Sequence, residues 1–593
     1  MLSKQLYRTN PGMVYHCAQI PMATWLFEII FWSVFLILNG LNFAINYAFH
    51  AHNSTFLPYV GDLKRTGKIG VIASNNLDPF RYVNELSLVL LASRLTDLSA
   101  WHGLITATYL LFLLFNQYQY FFRKIYQQEP ILQSDVKLLK NGLSIVWHES
   151  PLKVVIGVLL FIGLVFLLDS GMALYLQTNA SVGPTLFSHV LSGIWILTAL
   201  YSPISIKKLL KPYPSDLYMR YHFTLAEFLY NLKRSYDNYL LSKQEFGSRY
   251  HASRADITLS LPADPPNIFI IFIESYGSFF FQEPALRASS LASFESFSRP
   301  LVDTGYHIRS NYSASTTSGG QSWLTFSSML YGYRIDNNTL FENHLNDPLF
   351  RQGNSLLKVL RSAGYTNYHL NPINPIDGIY VPYDEMREFY QIDRWILAND
   401  MNYQGDQYGF GACPPDQFSM NFMMEEIKKD QPGPYTYFYL TKNSHSPFMS
   451  PKRVDDWRTL NKPTNKKLQE EGFLQRPKVS DYQVAMQYEY DVLQEFILNH
   501  PNERDIFLLM GDHQPPFICD PQAYEPHTPV HIISKHPDFV KDFEHYDFKE
   551  EVKDIHRPLR HEALYSIFLK IFAKHFASSY QHLPDYEPEG VQL

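Results

Sequence analysis

The sequence has few charged residues for its size. Asp, Glu, Lys and Arg make up 18% of the 593 residues, whereas hydrophobic residues make up 46%. Soluble domains usually carry about 25% charged residues, so this balance indicates a membrane-associated part. The formal net charge of -7 lacks the basic excess that nucleic-acid binding requires, so we expect no nucleic-acid partner. The chain is too long for one hydrophobic core, which predicts at least two domains.

Cysteine is also scarce. The three cysteines are Cys17, Cys413 and Cys519, and none of them forms a CxxC pair. This spacing argues against a zinc ribbon or a dithiol redox motif. Cys413 and Cys519 would pair in an oxidising compartment, and two unrelated buried thiols are the alternative.

Long apolar runs occupy the first third of the chain. Each is about as long as a helix that crosses a hydrocarbon core of roughly 30 Å. The runs are 25–49, 103–122, 154–176 and 185–201. A shorter run at 86–95 is interrupted by Arg94, so it is a re-entrant or interfacial helix or a fifth span. The first run is too long for a cleavable signal and lacks a small-residue cleavage site. We therefore predict an α-helical transmembrane domain over residues 1–205.

Basic segments flank these runs. Residues 123–153 and 207–220 are both rich in Lys and Arg. The positive-inside rule places them in the cytoplasm, and the C-terminal half of the chain with them. Residues 213–254 are amphipathic as well as basic. We therefore predict that the segment 206–260 is a linker lying along the membrane surface.

The remaining residues, 261–593, alternate between strand and helix patterns. Residues 267–273 form an uninterrupted β-branched and aromatic run, typical of a strand buried on both faces. Further strands are predicted at 365–370, 435–440, 506–510 and 530–534, and helices at 355–363, 420–429, 482–500 and 561–577. This alternation predicts an α/β domain with a doubly wound, mostly parallel sheet. The polar stretch 451–478 is predicted to be a loop or lid.

Polar side chains follow three of the predicted strands. Glu274 ends the first strand, His445 follows the third, and Asp512 with His513 follows the fourth. The carboxyl ends of parallel strands are where α/β proteins bind their ligands. Each residue has an ordinary structural interpretation as well, such as a helix cap for Glu274. Their shared position in the sheet indicates a site.

A hydroxyl-rich stretch lies at 311–318, which we predict to be a short loop, and a helix-like apolar run beginning at Trp323 follows it. Free backbone N–H groups at a helix N-terminus attract anions and favour an alkoxide over a hydroxyl. Thr317 is the candidate nucleophile and Thr316 its rival. Two carboxylates, an imidazole and the threonine oxygen would form a four-ligand shell for Zn²⁺ or Mn²⁺, which lowers the pKa of a bound hydroxyl. The alternative is an ordinary helix N-cap.

Four short segments carry a resemblance to a known family. Residues 267–277, 315–324, 445–448 and 511–513 resemble the core motifs of the alkaline phosphatase and sulfatase superfamily. More narrowly, they are similar to its membrane-anchored phosphotransferases, namely lipoteichoic acid synthases, phosphoethanolamine transferases and phosphoglycerol transferases. The resemblance covers roughly 265–575, and the family also places its membrane spans before the catalytic domain.

The resemblance implies a role for each candidate residue. Glu274, Asp512 and His513 would bind one divalent metal ion, Zn²⁺ or Mn²⁺, with Mg²⁺ as an alternative. Thr317 would ligate the same ion and attack phosphorus, and His445 would hold or protonate the transferred group. The implied donor is a phospholipid, and the acceptor is a lipid or glycan of the cell envelope. The implied location is a bacterial cytoplasmic membrane with the catalytic domain in the periplasm or outside the cell, which conflicts with the loop charges.

The chain also departs from parts of this family. Lipoteichoic acid synthases carry a tryptophan and an arginine for glycerol phosphate after their counterpart of His369, whereas 371–382 has neither. This makes glycerol phosphate a doubtful head group. The Pro and Arg of the sulfatase signature do not follow Thr317, which argues against a formylglycine sulfatase. A sulfatase-like phosphodiesterase that uses water, and a metal-free binding or regulatory module, are the alternative functions.

Four other residues have two interpretations each. His369 either contacts substrate or is an edge-strand histidine, and Lys442 either meets phosphate or lies in a solvated loop. His527 and His531 either serve a second metal or are ordinary loop and strand residues.

Overall fold

The computed structural model describes residues 22–42, 88–126, 130–193 and 224–592, with gaps. The largest gaps within the last range are 374–381, 409–412 and 464–476. Clustering of contacts divides the chain into two compact units. The first comprises 1–118 and 156–228, and the second comprises 119–155 and 229–593. The domain boundaries at 205 and 260 stay predictions.

The helices and strands have the following bounds. The helices are α1 (Met22–Leu41), α2 (His102–Ile125), α3 (Pro151–Val182), α4 (Thr224–Ser242), α5 (Phe246–Ser253), α6 (Phe279–Gln282), α7 (Arg287–Asp303), α8 (Ser322–Tyr331), α9 (Asn338–Asn346), α10 (Pro348–Arg351), α11 (Leu356–Ser362), α12 (Tyr383–Phe389), α13 (Asp416–Asp430), α14 (Val479–Leu498), α15 (Pro537–Asp542) and α16 (Ala563–Phe576). The strands are β1 (Thr258–Ser260), β2 (Ile268–Ile273), β3 (His307–Ala314), β4 (Thr366–Asn371), β5 (Arg394–Leu397), β6 (Tyr435–Leu440), β7 (Ile506–Gly511), β8 (His527–Ser534), β9 (Leu559–Arg560) and β10 (Ser579–Gln581). Short 3₁₀ turns lie at Ser99–Trp101, Ala398–Met401, Trp457–Leu460 and Phe543–Tyr546.

The described part of the first unit is helical. Within α3, the segment Val154–Gln177 is long and apolar enough to cross a membrane, and it is largely exposed apart from Met172, Tyr175 and Leu176 near its end. A shorter apolar helix, Thr24–Leu38, lies within α1. The predicted run at 103–122 falls inside α2, but this helix is not apolar enough to count as a membrane span by the same measure of length and hydropathy. The run at 185–201 lies partly outside the described residues, so the count of four spans stays a prediction.

Polar groups inside this apolar unit bond to one another. The backbone N–H and the hydroxyl of Thr185 donate to Oε1 of the buried Glu28, at 3.1 and 2.8 Å. The side-chain amide of Asn116 donates to Asn42 Oδ1 at 3.2 Å and to Thr224 Oγ1 at 3.3 Å. Such pairs satisfy polar groups where water is scarce. They explain the charged Glu28 in an apolar run without a catalytic role.

The described residues of the second unit are built on a mixed sheet of eight strands. Their order is β5-β4-β6-β2-β7-β8-β3-β9. Strand β8 runs antiparallel to both β7 and β3, and the other neighbours pair in parallel. A separate two-stranded sheet joins β1 and β10. The predicted sheet is therefore confirmed as mostly parallel. Its one reversed strand, β8, follows β7 without a helical crossover, and a parallel neighbour would need one.

Helices cover both faces of this sheet. The side chains of Ile268, Ile270 and Phe272 in β2 enter one core with α8, α11 and α16. The alternate side chains, Phe269, Ile271 and Ile273, enter a second core with α7, α13 and α14. A strand with both faces buried needs apolar residues at every position. This explains why the sequence of β2 has no polar alternation.

The prediction for residues 311–318 was wrong for the first half of the stretch. Residues 311–314 belong to β3 and are not a loop. Most of its side chains are buried although they are polar, and they bond to buried histidines: Ser310 Oγ lies 2.7 Å from His531 Nδ1, and Ser313 Oγ lies 2.9 Å from His561 Nδ1. A strand of buried polar residues has no hydrophobic signature. Helix α7, which precedes it, was also missed.

The two described cysteines are separate buried thiols. Cys413 and Cys519 form no disulfide with each other. The structure therefore favours the second of the two alternatives that their spacing left open.

Candidate active site

The carboxyl ends of β2 and β7 place three predicted residues side by side. The strands pair in parallel with Ile273 opposite Gly511, so Glu274 and Asp512 leave the sheet as neighbours. Ser275 adopts a left-handed φ of 57°, unusual for a residue with a Cβ. In this conformation its backbone N–H donates to Asp512 Oδ1 at 2.7 Å. The strained turn ties the two strand ends together.

Glu274, Asp512 and His513 form a compact buried cluster. His513 Nε2 lies 3.2 Å from Asp512 Oδ2 and 3.5 Å from Glu274 Oε1. One ligand atom from each residue lies within 4.8 Å of the other two, and the three residues are at most 2% exposed. Such a group could hold a metal ion, as the sequence predicted. It is the one group of this kind in the described ranges.

The cluster has unusual electrostatics. Burial, and then the charge of Glu274, raise the pKa of Asp512 to about 7. Burial also opposes ionisation of Glu274, but His445, His513 and Lys442 outweigh it and lower the pKa of Glu274. Two carboxylates held together in a dry site repel each other unless a cation joins them. A divalent ion would remove this repulsion.

The imidazole of His513 is prepared to act as a ligand. Its Nδ1 lies 2.9 Å from the backbone oxygen of Gln514, which only accepts hydrogen bonds. The proton is therefore assigned to Nδ1, which leaves a lone pair on Nε2. Nε2 is buried and has no hydrogen-bond partner among the described residues. The donor set thus fits an oxygen- and nitrogen-binding divalent ion such as Zn²⁺ or Mn²⁺.

The stretch that carries Thr317 is fastened to Asp512. Ser315 Oγ donates to the backbone oxygen of Asp512 at 2.6 Å, and Ser322 Oγ donates to Asp512 Oδ2 at 2.7 Å. Thr317 Oγ1, which is 1% exposed, lies 3.2 Å from Thr325 Oγ1. The structure therefore brings the predicted nucleophile to the same end of the sheet as the cluster.

Thr317 is not the cap of the following helix. Gln321 occupies the N-cap of α8 with φ 59°, and its side chain makes no capping hydrogen bond. Gly320 has φ 62°, and a Cβ at this position would lie 3.2 Å from the ring of Tyr126. Glycine is therefore favoured at this position chiefly by its left-handed conformation, and the close aromatic ring adds to this preference. The ordinary N-cap interpretation of Thr317 does not describe this loop.

His445 lies in a turn that a buried carboxylate holds. Asp416 accepts from the backbone N–H of Lys442 at 2.9 and 3.0 Å and from that of Asn443 at 2.7 Å. The hydroxyl of Tyr439 donates to Asp416 Oδ1 at 2.6 Å. Burial lowers the pKa of His445, although the charge of Glu274 acts in the opposite direction. This influence of Glu274 puts His445 within electrostatic range of the cluster.

The other candidate histidines have ordinary partners. His531 Nε2 lies 2.9 Å from the Tyr276 hydroxyl, and burial lowers the pKa of His531 to about 3. His369 Nδ1 lies 2.9 Å from the backbone oxygen of Phe438, and burial lowers the pKa of His369 to about 4. His527 lies 3.4 Å from the exposed Glu525. Neither His527 nor His531 joins a metal-binding group among the described residues.

Sequence reasoning missed the supporting residues of this site. Ser322 and Thr325 lie three positions apart in α8, so they share one helix face. Asp416 is the first residue of α13, and it lies four residues before the helix that we predicted at 420–429. The available signal was the spacing of Ser322 and Thr325, two hydroxyl residues on one face of a helix that begins shortly after the Thr317 stretch.

Comparisons with known proteins give likenesses of fold alone. No protein-family model and no curated protein sequence matches the chain. Among solved structures, the chain is similar to the integral membrane protein lipooligosaccharide phosphoethanolamine transferase A of Neisseria meningitidis. The identity is 12% and the TM-score 0.47, and the match covers 93% of this chain and 95% of that one.

The chain is also similar to the C-terminal periplasmic domain of EcEptC from Escherichia coli. The identity is 12% and the TM-score 0.36, and the match covers 57% of this chain and 91% of that one. A third likeness is to the lipoteichoic acid synthase LtaP of Listeria monocytogenes, with 15% identity and a TM-score of 0.31, covering 48% and 71%.

Proposed function

We propose that the protein is a metal-dependent membrane phosphotransferase. It moves the head group of a phospholipid, resembling phosphoethanolamine or phosphoglycerol, to a lipid or glycan of the cell envelope. One observation supports this most strongly. The cluster of Glu274, Asp512 and His513 is joined through Asp512 to the stretch that carries a buried threonine hydroxyl. A nucleophile beside a divalent-cation site is the arrangement that phosphoryl transfer requires.

Glu274, Asp512 and His513 would hold one divalent ion, Zn²⁺ or Mn²⁺, with Thr317 as the fourth ligand. A bound ion supplies positive charge that lowers the pKa of a hydroxyl and neutralises phosphate oxygens. The protein's own contribution is a dry, rigid site, because each of the three side chains is buried and held by its neighbours.

Thr317 is the proposed nucleophile. Its Oγ1 attacks the phosphorus of the donor lipid and loses its proton, which passes through His445 to the lipid glycerol oxygen as the bond from phosphorus to that oxygen breaks and the lipid leaves as an alcohol. A hydroxyl of the acceptor then attacks the phosphothreonine, the bond from phosphorus to Oγ1 breaks, and the proton of the acceptor hydroxyl returns through His445 to Oγ1, which releases Thr317. Splitting the transfer into two displacements lets the donor and the acceptor use the same site in turn.

His445 is the proposed proton carrier for the leaving and attacking oxygens. Its lowered pKa keeps the ring neutral near neutral pH, so it can give or take a proton without a large cost. Lys442 precedes it in the same turn, and its positive charge acts on Glu274, His445 and His369. A cation at this position would attract the phosphate of an incoming lipid.

The proposed location is a cytoplasmic membrane, with the second unit on its outer side. The long apolar segment Val154–Gln177, which is mostly exposed, supports the membrane assignment. The outward placement rests on the chemistry of the implied acceptors, and it conflicts with the basic loops. A reporter fused after Leu593 would decide the orientation: activity of a cytoplasm-only reporter there would exclude an envelope acceptor.

A covalent intermediate tests the function. The full-length protein is incubated with a phospholipid carrying a labelled head group, and peptides are analysed by mass spectrometry. We expect added mass on Thr317, no adduct in Thr317→Ala, and a normal adduct in the matched variant Thr316→Ala. Adduct on Thr316 would reassign the nucleophile. Label released to water, without a labelled acceptor, would favour the hydrolase alternative, and absence of any bound metal would favour the binding module.

A further inference from the structure

Three buried hydroxyls form a chain that ends on the backbone of Asp512. Thr317 Oγ1 lies 3.2 Å from Thr325 Oγ1, and Thr325 Oγ1 lies 2.9 Å from Ser315 Oγ. Ser315 Oγ in turn lies 2.6 Å from the backbone oxygen of Asp512. The three hydroxyl residues are at most 1% exposed, so water does not compete for these bonds.

The direction of every hydrogen bond in this chain follows from its last member. A carbonyl oxygen only accepts hydrogen bonds, so the hydroxyl of Ser315 must donate its one proton to the backbone oxygen of Asp512. Thr325 must therefore donate to Ser315, because Ser315 has no second proton to give. Thr325 has then used its own proton, and the bond between Thr317 and Thr325 can only be donated by Thr317.

This order fixes the rotation of the Thr317 hydroxyl. Its proton points at Thr325, and the lone pairs of Oγ1 are directed to the other side of the oxygen. A free threonine hydroxyl would rotate among several directions. A backbone carbonyl at the end of the chain is a poor proton acceptor, so the proton that Thr317 loses on attack leaves through His445, the proposed proton carrier, and not along the chain. The chain is thus suited to orientation and not to proton transfer.

We infer that Thr325 is a positioning residue, which holds the hydroxyl of Thr317 in the orientation that exposes its lone pairs for attack. The inference rests on the proposed role of Thr317 as nucleophile. Thr325 is not among the residues of the metal-binding group, and in this proposal it acts through Thr317 alone.

The neighbouring serines of the same helix show that this contact is not an ordinary helix feature. A hydroxyl inside a helix usually bonds back to the carbonyl four residues earlier. Ser327 bonds to the carbonyl of Trp323, and Ser328 bonds to that of Leu324 at 2.8 Å. Thr325, one turn nearer the site, bonds instead across the loop to Ser315 and Thr317. Its hydroxyl therefore bonds to the loop that carries Thr317 and not to the backbone of its own helix.

Three variants of the full-length protein test the inference. Thr325→Val removes the hydroxyl at nearly constant volume, and Thr325→Ser restores it. Ser328→Ala is the matched control, because it removes a buried hydroxyl of the same helix that does not touch Thr317. Each variant is measured for the rate of adduct formation on Thr317 with the labelled lipid, for KM, for metal content and for Tm.

We expect Thr325→Val to form the adduct about tenfold more slowly than wild type, as loss of one orienting hydrogen bond implies, with KM within about twofold. Its metal content should be unchanged, since the cluster is untouched. Thr325→Ser should restore the rate to within about twofold, and Ser328→Ala should keep the rate even if its Tm falls. A wild-type rate in Thr325→Val would overturn the inference, and so would a rate in Thr325→Ser as slow as that in Thr325→Val.

Ser315→Ala supplies a second route if Thr325→Val does not fold. It removes the oxygen that accepts the proton of Thr325. Thr325 can then donate to Thr317, so the Thr317 hydroxyl is no longer held in one orientation. We expect a slower adduct here too, and an unchanged rate would overturn the inference. A wild-type protein that never forms an adduct on Thr317 would instead remove the proposed function, and the role of Thr325 with it.

Discussion

The Nε2 atom of His513 lies 3.5 Å from Oε1 of Glu274, and no hydrogen bond joins the two buried atoms. Its other ring nitrogen is already bonded to the backbone oxygen of Gln514. A buried lone pair without a donor costs free energy unless some ligand uses it. With Asp512 on its other side, this atom faces two carboxylates at once. The geometry makes sense as three ligands of a cation.

The first prediction concerns metal binding. We expect metal-free protein to gain thermal stability when Zn²⁺ or Mn²⁺ is added, by about 2.7 kcal/mol when the free ion is at one hundred times its Kd. In His513→Ala the gain should disappear, because the Nε2 lone pair is lost. Differential scanning calorimetry and metal analysis of the purified protein measure both effects.

The control for this experiment is His527→Ala. His527 lies at the same end of the sheet but outside the metal-binding group. It should keep the full gain in Tm. If His513→Ala keeps the gain as well, the cluster is not the metal site.

The second prediction concerns His445. We expect His445→Ala to slow head-group transfer by about one hundredfold or more, the usual contribution of a positioned acid–base group. Metal content should stay near that of wild type, because His445 lies outside the group of Glu274, Asp512 and His513. Transfer of a labelled head group and metal analysis test the two expectations together. An equal loss of metal would make His445 a ligand and not a proton carrier.

The sequence predicted the site best where one rule of topology sufficed. Residues that follow parallel strands meet at one edge of the sheet, which brought Glu274 to Asp512 and His513. Strand β3 escaped prediction because its buried side chains are polar and bond to histidines more than 200 residues away in the chain, as Ser310 does with His531 (|i−j| = 221). The contact between Thr325 and Thr317 escaped for the same reason: it depends on how a loop folds back on a helix. Periodicity reports which face is buried, and it does not report which polar groups pair across the core.

The third prediction compares two buried acids, Asp416 and Glu489, that lie next to the turn carrying His445. Asp416 receives three backbone or hydroxyl donors, whereas Glu489 interacts with Asp416 itself and with Ser444. Burial raises the pKa of Glu489 well above its usual value, with the charge of Asp416 adding to the effect. Burial raises the pKa of Asp416 too, but its hydrogen-bond donors oppose the rise, so Glu489 is the acid of the pair that favours its protonated form and a neutral amide is its closest replacement.

We expect Glu489→Gln to keep stability within about 1 kcal/mol and to keep transfer activity. Asp416→Asn should lose about 1–3 kcal/mol, since its amide would place a donor against the backbone donors of Lys442 and Asn443. It should also slow transfer, because the turn that carries His445 would loosen. Urea unfolding and the transfer assay measure the difference. Equal losses in the two variants would contradict the assignment of charge.

The last prediction concerns stability in acid and lies away from the site. His344 is fully buried, neither ring nitrogen has a hydrogen-bond partner among the described residues, and its ring stacks on Phe350 at 3.9 Å. Burial lowers the pKa of His344 to about 3. The unfolded chain, with a pKa near 6.5, therefore binds a proton that the folded chain refuses between about pH 6.5 and pH 3. Folding stability is complete above this window and falls as the pH drops through it.

For this one group the loss between pH 8 and pH 5 is about 2 kcal/mol. We expect His344→Phe to lose less stability than wild type over the same interval, by about that amount, because phenylalanine does not titrate. Urea unfolding at pH 8 and pH 5 measures the difference, with His582→Phe as the control, since His582 is exposed. We expect His582→Phe to show the pH dependence of wild type. If His344→Phe shows it as well, the buried, neutral state of His344 is rejected.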